Sequence, residues 1–289
     1  MSRANVTGAV FCLLVFMVSF IVTGNAAAYL NLVAFLVVLS GTFGATFLSF
    51  PYNQIKTALY VARGAYKTKV ISADEIIGML LDLSVRSRVD GTQSVEEAGE
   101  HTTVFFLRDA VRMLVDNYPE EEIRDILMTE IFFFKLRRQH SERVFRVMAT
   151  YSPAFGLAGS VIGLIGLLIG LGDTGEVLRY IPIALISTLY GILFANFVFA
   201  PIAEAIRDKT EQEILVQKVI IEGVVAIKTE TNPHILEKRL SSFLTPASRL
   251  ETHQSFADIR KKYIQMVRAR QQAAKEPPPP GPPSGEPPA

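Results

Sequence analysis

The chain has 289 residues, a formal net charge of +1 and a mean hydropathy of +0.30. A charge this close to balance gives no argument for a nucleic-acid partner. The single cysteine, Cys12, excludes a disulfide framework and argues against a metal or redox site.

Three long stretches of the chain contain no Asp, Glu, Lys or Arg. They are the residues between Arg3 and Lys56, between Arg146 and Asp173, and between Arg179 and Glu204. A helical membrane span needs about 20 mostly apolar residues. The stretches therefore predict four transmembrane helices in two hairpins, at about 6–24 and 29–50, then at about 153–173 and 180–203.

The predicted fold class is an all-α membrane protein with a helical cytoplasmic domain. No stretch of any length shows the alternation that is typical of strands. Eight of the fifteen prolines lie in residues 277–289, which predicts an extended, disordered tail. The predicted domains are a hairpin at 1–50, a cytoplasmic domain at 51–152, the third and fourth spans at 153–203, C-terminal helices at 204–246, and a charged, then proline-rich tail at 247–289.

The basic residues predict the orientation of the chain in the membrane. Every Lys and Arg except Arg179 is Arg3 or lies in residues 51–152 or 204–289. The positive-inside rule places these segments and both termini in the cytoplasm. An alternative is that residues up to Ala26–Ala28 form a cleaved signal peptide, which would leave three spans. We favour a retained hairpin because the run Val6–Val22 is long for a signal peptide and the second span follows at once.

Local signals place helices between the spans. Ser72 with Glu75 forms a helix-start pattern, and Pro119 precedes three glutamates that suit a helix N-terminus. Pro182 is predicted to mark the start of the fourth span. Pro153 and Pro201 lie at the cytoplasmic ends of the third and fourth spans. Helices are predicted at about 52–69, from 72, at 103–117, from 119 through 150 into the third span, at 204–230 and at 233–244.

The third span has a stripe of small residues spaced by three and four positions, and Gly191 belongs to a similar stripe in the fourth span. This spacing puts them on one helix face and favours close helix packing. The stripe consists of Gly156, Gly159, Ser160, Gly163, Gly166 and Gly170.

Three hydroxyl residues lie in the same spans, namely Ser160, Ser187 and Thr188. A hydroxyl in a bilayer can bond to a carbonyl one turn back, so each has a purely structural interpretation. Repeated around a ring of subunits, the hydroxyls could instead line an ion path and replace part of an ion's hydration shell. They cannot take up a proton, so a partner would have to supply a carboxylate.

The cytoplasmic segments show a charged cluster and no enzyme motif. Nothing resembles a phosphate-binding loop, a metal-ligand spacing or a nucleophile with its base, so we predict neither an enzyme nor a cofactor. The basic run 260–262 is predicted to rest against anionic membrane lipid. The cluster is either a solvated face or a partner surface, and consists of Arg86, Arg88, Asp90, Glu96, Glu97 and Glu100.

In residues 5–245 the order of elements resembles the MotA family, the ring-forming stator subunits of the bacterial flagellar motor, within the MotA/TolQ/ExbB group. The matching stretches are LSGTFGAT at 39–46, SPAFGLAGSVIGL at 152–164, IALISTLYG at 183–191, PIA at 201–203, EGVVAI at 222–227, and the pair NP at 232–233.

The resemblance implies a homo-oligomer, expected to be a pentamer, around two helices of a MotB-like partner that brings the ion-binding Asp. It implies that Pro153 and Pro201 are gating prolines. It also implies that Arg88, Glu96 and Glu97 contact the rotor switch protein FliG. Val89 departs from the family's second basic position beside Arg88. Gly99, with Glu100 one residue on, departs from a further acidic position.

The residues at 160 and 188 bear on the transported ion. Both positions are Thr in sodium-type members, and proton-type members often have a smaller or less polar residue at the first. Ser160 is intermediate between these two types, so we expect H+ as the transported ion and Na+ as the alternative. Other interpretations are a TolQ/ExbB-like energiser of an envelope machine, which the N-terminal hairpin disfavours, and a passive membrane scaffold. A secondary transporter is weaker still, because broken helices and midplane charges are missing.

Overall fold

The computed structural model describes residues 3–22, 29–67, 70–89, 91–100, 102–172, 174–229 and 231–244. Within these residues the secondary structure is helical and contains no strand, which confirms the all-α class. The helices of this described part are α1 Arg3–Val22, α2 Leu32–Ser49, α3 Tyr52–Lys67, α4 Ala73–Val89, α5 Thr92–Glu100, α6 Phe105–Val115, α7 Glu120–Ile169, α8 Thr174–Leu193, a π-helical segment Phe194–Phe199, α9 Ala200–Lys228 and α10 Pro233–Ser241.

Three helical stretches in the described chain are long and apolar enough to cross a membrane. They are Leu32–Ser49, Glu120–Ile169 and the continuous stretch Val177–Lys228. Helix α1 occupies the position of the first predicted span and has 20 residues. Residues 23–28, which carry the alternative cleavage site, and the tail from residue 245 lie outside the described residues.

The chain divides into two compact units. The membrane unit comprises Met1–Val70 and Phe132–Gln212, and the second unit comprises Ile71–Ile131 and Glu213–Ala289. Helices α7 and α9 contribute residues to both units.

In the membrane unit, α3 packs through alanines against two longer helices. Ala58 and Ala62 are buried in a cluster with apolar side chains of α7, the π-helical segment and α9. Small side chains on α3 bring its backbone close to its neighbours, so buried Lys209 of α9 can donate from Nζ to the Gly64 carbonyl at 2.7 Å. The remaining members of this cluster are Val144, Phe145, Met148, Phe199, Ala203 and Ile206.

The second unit has its own apolar core. Gly223 of α9 lies against Leu80 of α4, and Gly99 of α5 lies against Val111 of α6. Small residues at these contacts let larger side chains fill the space between helices. The fully buried side chains of this core are Ile76, Ile77, Leu80, Val95, Ile123, Leu127, Val219, Ile220, Val224, Leu236 and Leu240.

Polar caps set several helix ends. The predicted cap at Ser72 is present, because the Glu75 amide donates to Ser72 Oγ at 3.3 Å. Asn31 Oδ1 accepts from the Ala34 amide at 2.9 Å and starts α2. Asn232 accepts from the His234 amide at 2.9 Å and starts α10, with Pro at its first position. Each cap satisfies an amide that has no carbonyl partner in the first turn.

The prediction that Pro182 marks the start of the fourth span is wrong. Helix α8 begins at Thr174, and Pro182 lies in its interior. Pro153 lies inside the 50-residue α7, which confirms the predicted continuous helix from residue 119 into the third span. A proline removes one amide donor, and neighbouring helices in a membrane bundle can compensate for that loss.

Pro201 also lies inside a continuous helical stretch, directly after the π-helical segment. The Ala200 amide donates to the Ala195 carbonyl, five residues back. Several predicted ends shift by a few residues, as helix boundaries commonly do: α2 begins at Leu32, α7 ends at Ile169, α6 spans Phe105–Val115 and α10 ends at Ser241.

Candidate functional site

The small residues of α7 and α8 bring the backbones of the two helices into close contact. A Cβ atom added to Gly191 would lie 2.7 Å from the Ser152 carbonyl oxygen and 3.1 Å from Gly156 Cα. A Cβ on Gly163 would lie 2.6 Å from the Ala184 amide nitrogen. The neighbouring atoms are backbone, so neither position has room for a side chain.

Gly156 also lies against backbone, because an added Cβ would lie 2.9 Å from the Ser187 carbonyl oxygen, whereas Gly159 and Gly166 contact side chains. A Cβ on Gly159 would lie 2.6 Å from the Ser187 side chain, and one on Gly166 would overlap the Tyr180 ring. Gly170 follows the last residue of α7, and its amide donates to the Gly166 carbonyl at 3.0 Å. The structure therefore brings Gly159, Gly163 and Gly166 against α8 and places Gly170 at the helix end.

Ser160 and Thr188 form a direct pair across this contact. Ser160 Oγ and Thr188 Oγ1 are 2.5 Å apart, and both residues are half-buried. Ser160 Oγ also contacts the carbonyls of Gly156 and Ala184. The pair thus lies among several oxygens in a charge-free part of the chain, which is the type of environment in which a partly dehydrated cation can be ligated.

The structure separates Ser187 from this pair. Ser187 is fully buried, and its hydroxyl donates to the Ile183 carbonyl at 2.6 Å. Its side chain packs on Gly159. Adjacent positions on a helix point about 100° apart, so Ser187 faces the helix contact. It serves here as a packing residue whose hydroxyl is already satisfied.

Four polar residues of the membrane unit are not among those predicted to form the site, namely Thr42, Thr46, Ser152 and Asn196. Ser152 is fully buried, and its hydroxyl has no hydrogen-bond partner among the described residues. Thr42 and Thr46 of α2 are buried and donate to carbonyls one turn back. Asn196 is exposed in the π-helical segment. The sequence does contain a signal for Asn196, because it is the only Asn or Gln residue between Arg146 and Glu204.

Tyr190 connects α8 to the start of α2. Its hydroxyl donates to the Tyr29 carbonyl at 2.6 Å and accepts from the Asn31 amide at 3.2 Å. The Phe35 ring contacts the Tyr190 ring edge-on, with centroids 6.1 Å apart. The hydroxyl therefore satisfies two backbone groups that precede the second span.

Replacing Tyr190 by Phe is expected to destabilise the protein by about 1–2 kcal/mol, because the Tyr29 carbonyl loses its donor while the ring remains. The measurement is the melting temperature of the purified chain in detergent. Tyr180→Phe is the matched control, since the Tyr180 hydroxyl has no hydrogen-bond partner in the described part of the chain. Equal melting temperatures for the two variants would contradict the role of the Tyr190 hydroxyl.

Ion pairs lie where the charge-free stretches end. Arg146 of α7 contacts Glu142 at 2.5 Å and Glu204 of α9 at 3.2 Å. The hydrogen bond that Arg146 donates to Glu142 is the main cause that raises the pKa of Arg146 above its usual value. Arg146 is therefore charged at every physiological pH and connects the two helices outside the spans.

Pro153 and Pro201, which the resemblance predicts to be gating prolines, lie at different contacts. A Cβ added to Gly191 would lie 3.1 Å from Pro153 Cα, so Pro153 borders the α7–α8 contact. The Pro201 carbonyl accepts from the Tyr66 hydroxyl at 3.4 Å, and burial raises the pKa of Tyr66 above its usual value.

The predicted rotor-contact residues lie on the second unit. Arg88 is exposed in the last turn of α4, and Glu96 and Glu97 are exposed on α5. Arg86 instead pairs with Asp82 at 2.7 Å, one turn away. Asp90 and the side chain of Glu100 lie outside the described part of the chain.

Comparisons with known proteins agree with this architecture. The sequence model of the MotA/TolQ/ExbB proton channel family matches residues 99–218. Motility protein A of Treponema phagedenis is 30% identical over 231 residues, which cover 80% of this chain and 89% of the relative. Motility protein A of Borreliella burgdorferi is 36% identical over 180 residues, covering 62% and 69% respectively. The flagellar MotAB stator complex from Bacillus subtilis matches with a TM-score of 0.77 and 31% identity, covering 87% of this chain and 98% of that one.

The long apolar helices define a helical membrane protein. The chain belongs to the MotA/TolQ/ExbB proton channel family. Its relatives named above are motility proteins A, so the resemblance to MotA is confirmed.

Proposed function

We propose that this chain is the ring-forming stator subunit of a proton-driven flagellar motor, which converts ion flow across the inner membrane into torque. The observation that carries the proposal is the Ser160–Thr188 pair between two helices whose spans contain no charge. A hydroxyl can ligate a passing ion but cannot bind and release a proton near neutral pH. The charge-changing step therefore needs a carboxylate from another chain.

A MotB-like subunit supplies that carboxylate in the proposed mechanism. The solved complex that this chain resembles is a MotAB stator, and the chain covers nearly all of its matched subunit. Several copies of this chain, expected to be five, surround the partner helices. An ion that enters neutralises the partner's Asp, and the ring then steps around the partner.

The other predicted site residues take their roles from the same mechanism. Pro153 and Pro201 permit changes at the cytoplasmic ends of the lining helices, where they border the Gly191 contact and the Tyr66 hydrogen bond. Arg88, Glu96 and Glu97 are exposed, and in this mechanism they form the contact with FliG. Helix α1 is the first of four spans, and both termini lie in the cytoplasm, in line with the distribution of Lys and Arg.

The test of the proposal is swimming speed in a strain that lacks its own stator. The strain is complemented with this chain and its partner, and external sodium is varied at fixed pH. Speed that ignores sodium but is abolished by a protonophore supports a proton motor, and speed that rises with sodium identifies a sodium motor. Immobile cells that contain the assembled complex in the membrane would contradict the flagellar assignment.

Removing one hydroxyl of the pair is expected to weaken ion handling without preventing assembly. Thr188→Val and Ser160→Ala each delete a hydrogen-bonding group worth about 0.5–1.5 kcal/mol, or about a two- to tenfold change in ion affinity. We expect the driving-ion concentration for half-maximal speed to rise by that factor.

The control for these two variants is Ser40→Ala. Ser40 is an exposed hydroxyl residue of α2 that contacts only the Val37 carbonyl, at 3.5 Å. Its removal is expected to leave the half-maximal concentration unchanged. If all three variants behave alike, the pair has no special role in ion handling.

A further inference from the structure

Asn196 is the one carboxamide in the segment that joins the fourth span to the cytoplasm. It is exposed, and its neighbours Ile192, Phe197 and Val198 are exposed apolar residues. A carboxamide facing hydrocarbon would lose its hydrogen bonds to water, which costs several kcal/mol. In the membrane this face is therefore covered by something that offers the side chain a polar contact.

One half of the carboxamide is already engaged. Asn196 Nδ2 donates to the Ile192 carbonyl at 2.9 Å. Among the described residues the carbonyl oxygen Oδ1 has no hydrogen-bond partner. The donor half is thus held by the helix, while the acceptor half remains available on the exposed surface.

The backbone at Asn196 is unusual in a way that favours function. The residue lies in the π-helical segment Phe194–Phe199, between α8 and Pro201. π-Helical turns are rare, widen the helix and occur frequently at functional sites. The Asn196 side chain provides a donor to a carbonyl in this region, which helps to stabilise the widened turn.

The position of Asn196 along the helix fits a route from the hydroxyl pair to the cytoplasm. It follows Thr188 by eight residues, or about 12 Å along the axis of a helix. It precedes Glu204, the first charged residue after the span, by a further eight residues. No other Asn, Gln or charged residue lies between Thr188 and Glu204.

We propose that Asn196 Oδ1 is a cation-binding ligand on the ion path, between the Ser160–Thr188 pair and the cytoplasmic exit. A neutral carbonyl oxygen can replace one water around Na+ or accept a hydrogen bond from hydronium. It binds weakly enough to let the ion leave. The inference rests on the proposed function and adds a second binding position to it.

The test uses two substitutions that change the oxygen in opposite directions. The complete chain is expressed with its partner in the strain lacking its own stator, and swimming speed is measured against the concentration of the driving ion. Asn196→Leu removes the ligand, and the half-maximal concentration is expected to rise about three- to tenfold, as for one lost hydrogen bond. Asn196→Asp places a charged carboxylate there, which binds the cation more tightly. The half-maximal concentration is then expected to fall, and maximal speed is expected to drop because the ion is released more slowly.

A purely structural role predicts a different pattern. Both substitutions remove the Nδ2 donor to Ile192, so both would lower the amount of assembled complex and the speed together, with no change in the half-maximal concentration. Co-purification of the partner measures assembly. Asn53→Ala is the control, because Asn53 is an exposed residue of α3 outside the spans.

The outcomes separate the two proposals. If the unaltered chain drives no rotation, the proposed function fails. If it drives rotation and both Asn196 variants keep its half-maximal concentration, the ligand role of Asn196 is overturned. Titration of sodium and of external pH in the same strain shows which cation meets the Asn196 oxygen.

Discussion

Gly191→Ala is expected to separate α7 from α8 and to abolish rotation. The added Cβ would lie 2.7 Å from the Ser152 carbonyl oxygen and 3.1 Å from the Cα atoms of Gly156 and Pro153. These are backbone atoms and cannot rotate away. Overpacking of this kind costs about 1–3 kcal/mol.

The functional effect follows from the position of Gly191 one turn after Thr188. A shift of about 1 Å between the helices is enough to break a contact of hydrogen-bond length. The Ser160–Thr188 pair, now 2.5 Å apart, would therefore open. The measurements are the melting temperature of the purified complex and swimming speed in the complemented strain.

Gly44→Ala is the matched control for this prediction. Gly44 lies in the membrane helix α2, and a Cβ there meets no atom within 4 Å. The substitution is expected to keep speed and melting temperature, and alanine also favours the helix. A Gly191→Ala protein that melts and swims like the control would refute the close-contact argument.

Glu222→Gln is expected to loosen α10 in the second unit. Glu222 of α9 contacts Arg124 of α7 and Arg239 of α10, each at 2.6 Å, and its side chain is only 19% exposed. The amide would leave two arginines without their shared carboxylate. A fully buried pair costs about 3–5 kcal/mol to break, and partial exposure here lowers the expected loss to about 1–3 kcal/mol.

The measurement is hydrogen exchange of the α10 amides in the full chain, where Leu236 and Leu240 are completely buried. Hydrogen bonding by Glu222 is the main cause that raises the pKa of Arg124 above its usual value. The guanidinium is thus charged at all accessible pH. The difference in α10 exchange protection between the unaltered chain and Glu222→Gln is therefore expected to be independent of pH from neutral to mildly alkaline conditions.

Glu211→Gln serves as the control for the ion-pair prediction. Glu211 contacts Arg207 at 3.0 Å, but both side chains are more than half exposed. Exposed pairs of this kind contribute little because water and salt screen them. Faster exchange in α10 for both variants would show that net charge, and not the Glu222 contacts, controls its stability.

The sequence by itself determined the membrane character and the helical class of this protein. The reason is that a charge-free stretch of bilayer length has few alternatives to a spanning helix. Local signals also worked where a single side chain acts on nearby backbone, as at Ser72. Pro182 misled, because a proline is tolerated inside a long membrane helix whose neighbours compensate for the lost amide.

Only the tertiary structure decided which polar groups meet. Ser187 and Thr188 are adjacent in sequence, yet one packs on Gly159 and the other pairs with Ser160. The Glu222 contacts join helices that are distant in the chain. The periodicity of the sequence defines the helix face on which a residue lies. The axial register between two helices depends on how their side chains and glycines interlock, and the sequence pattern of one helix does not contain that information.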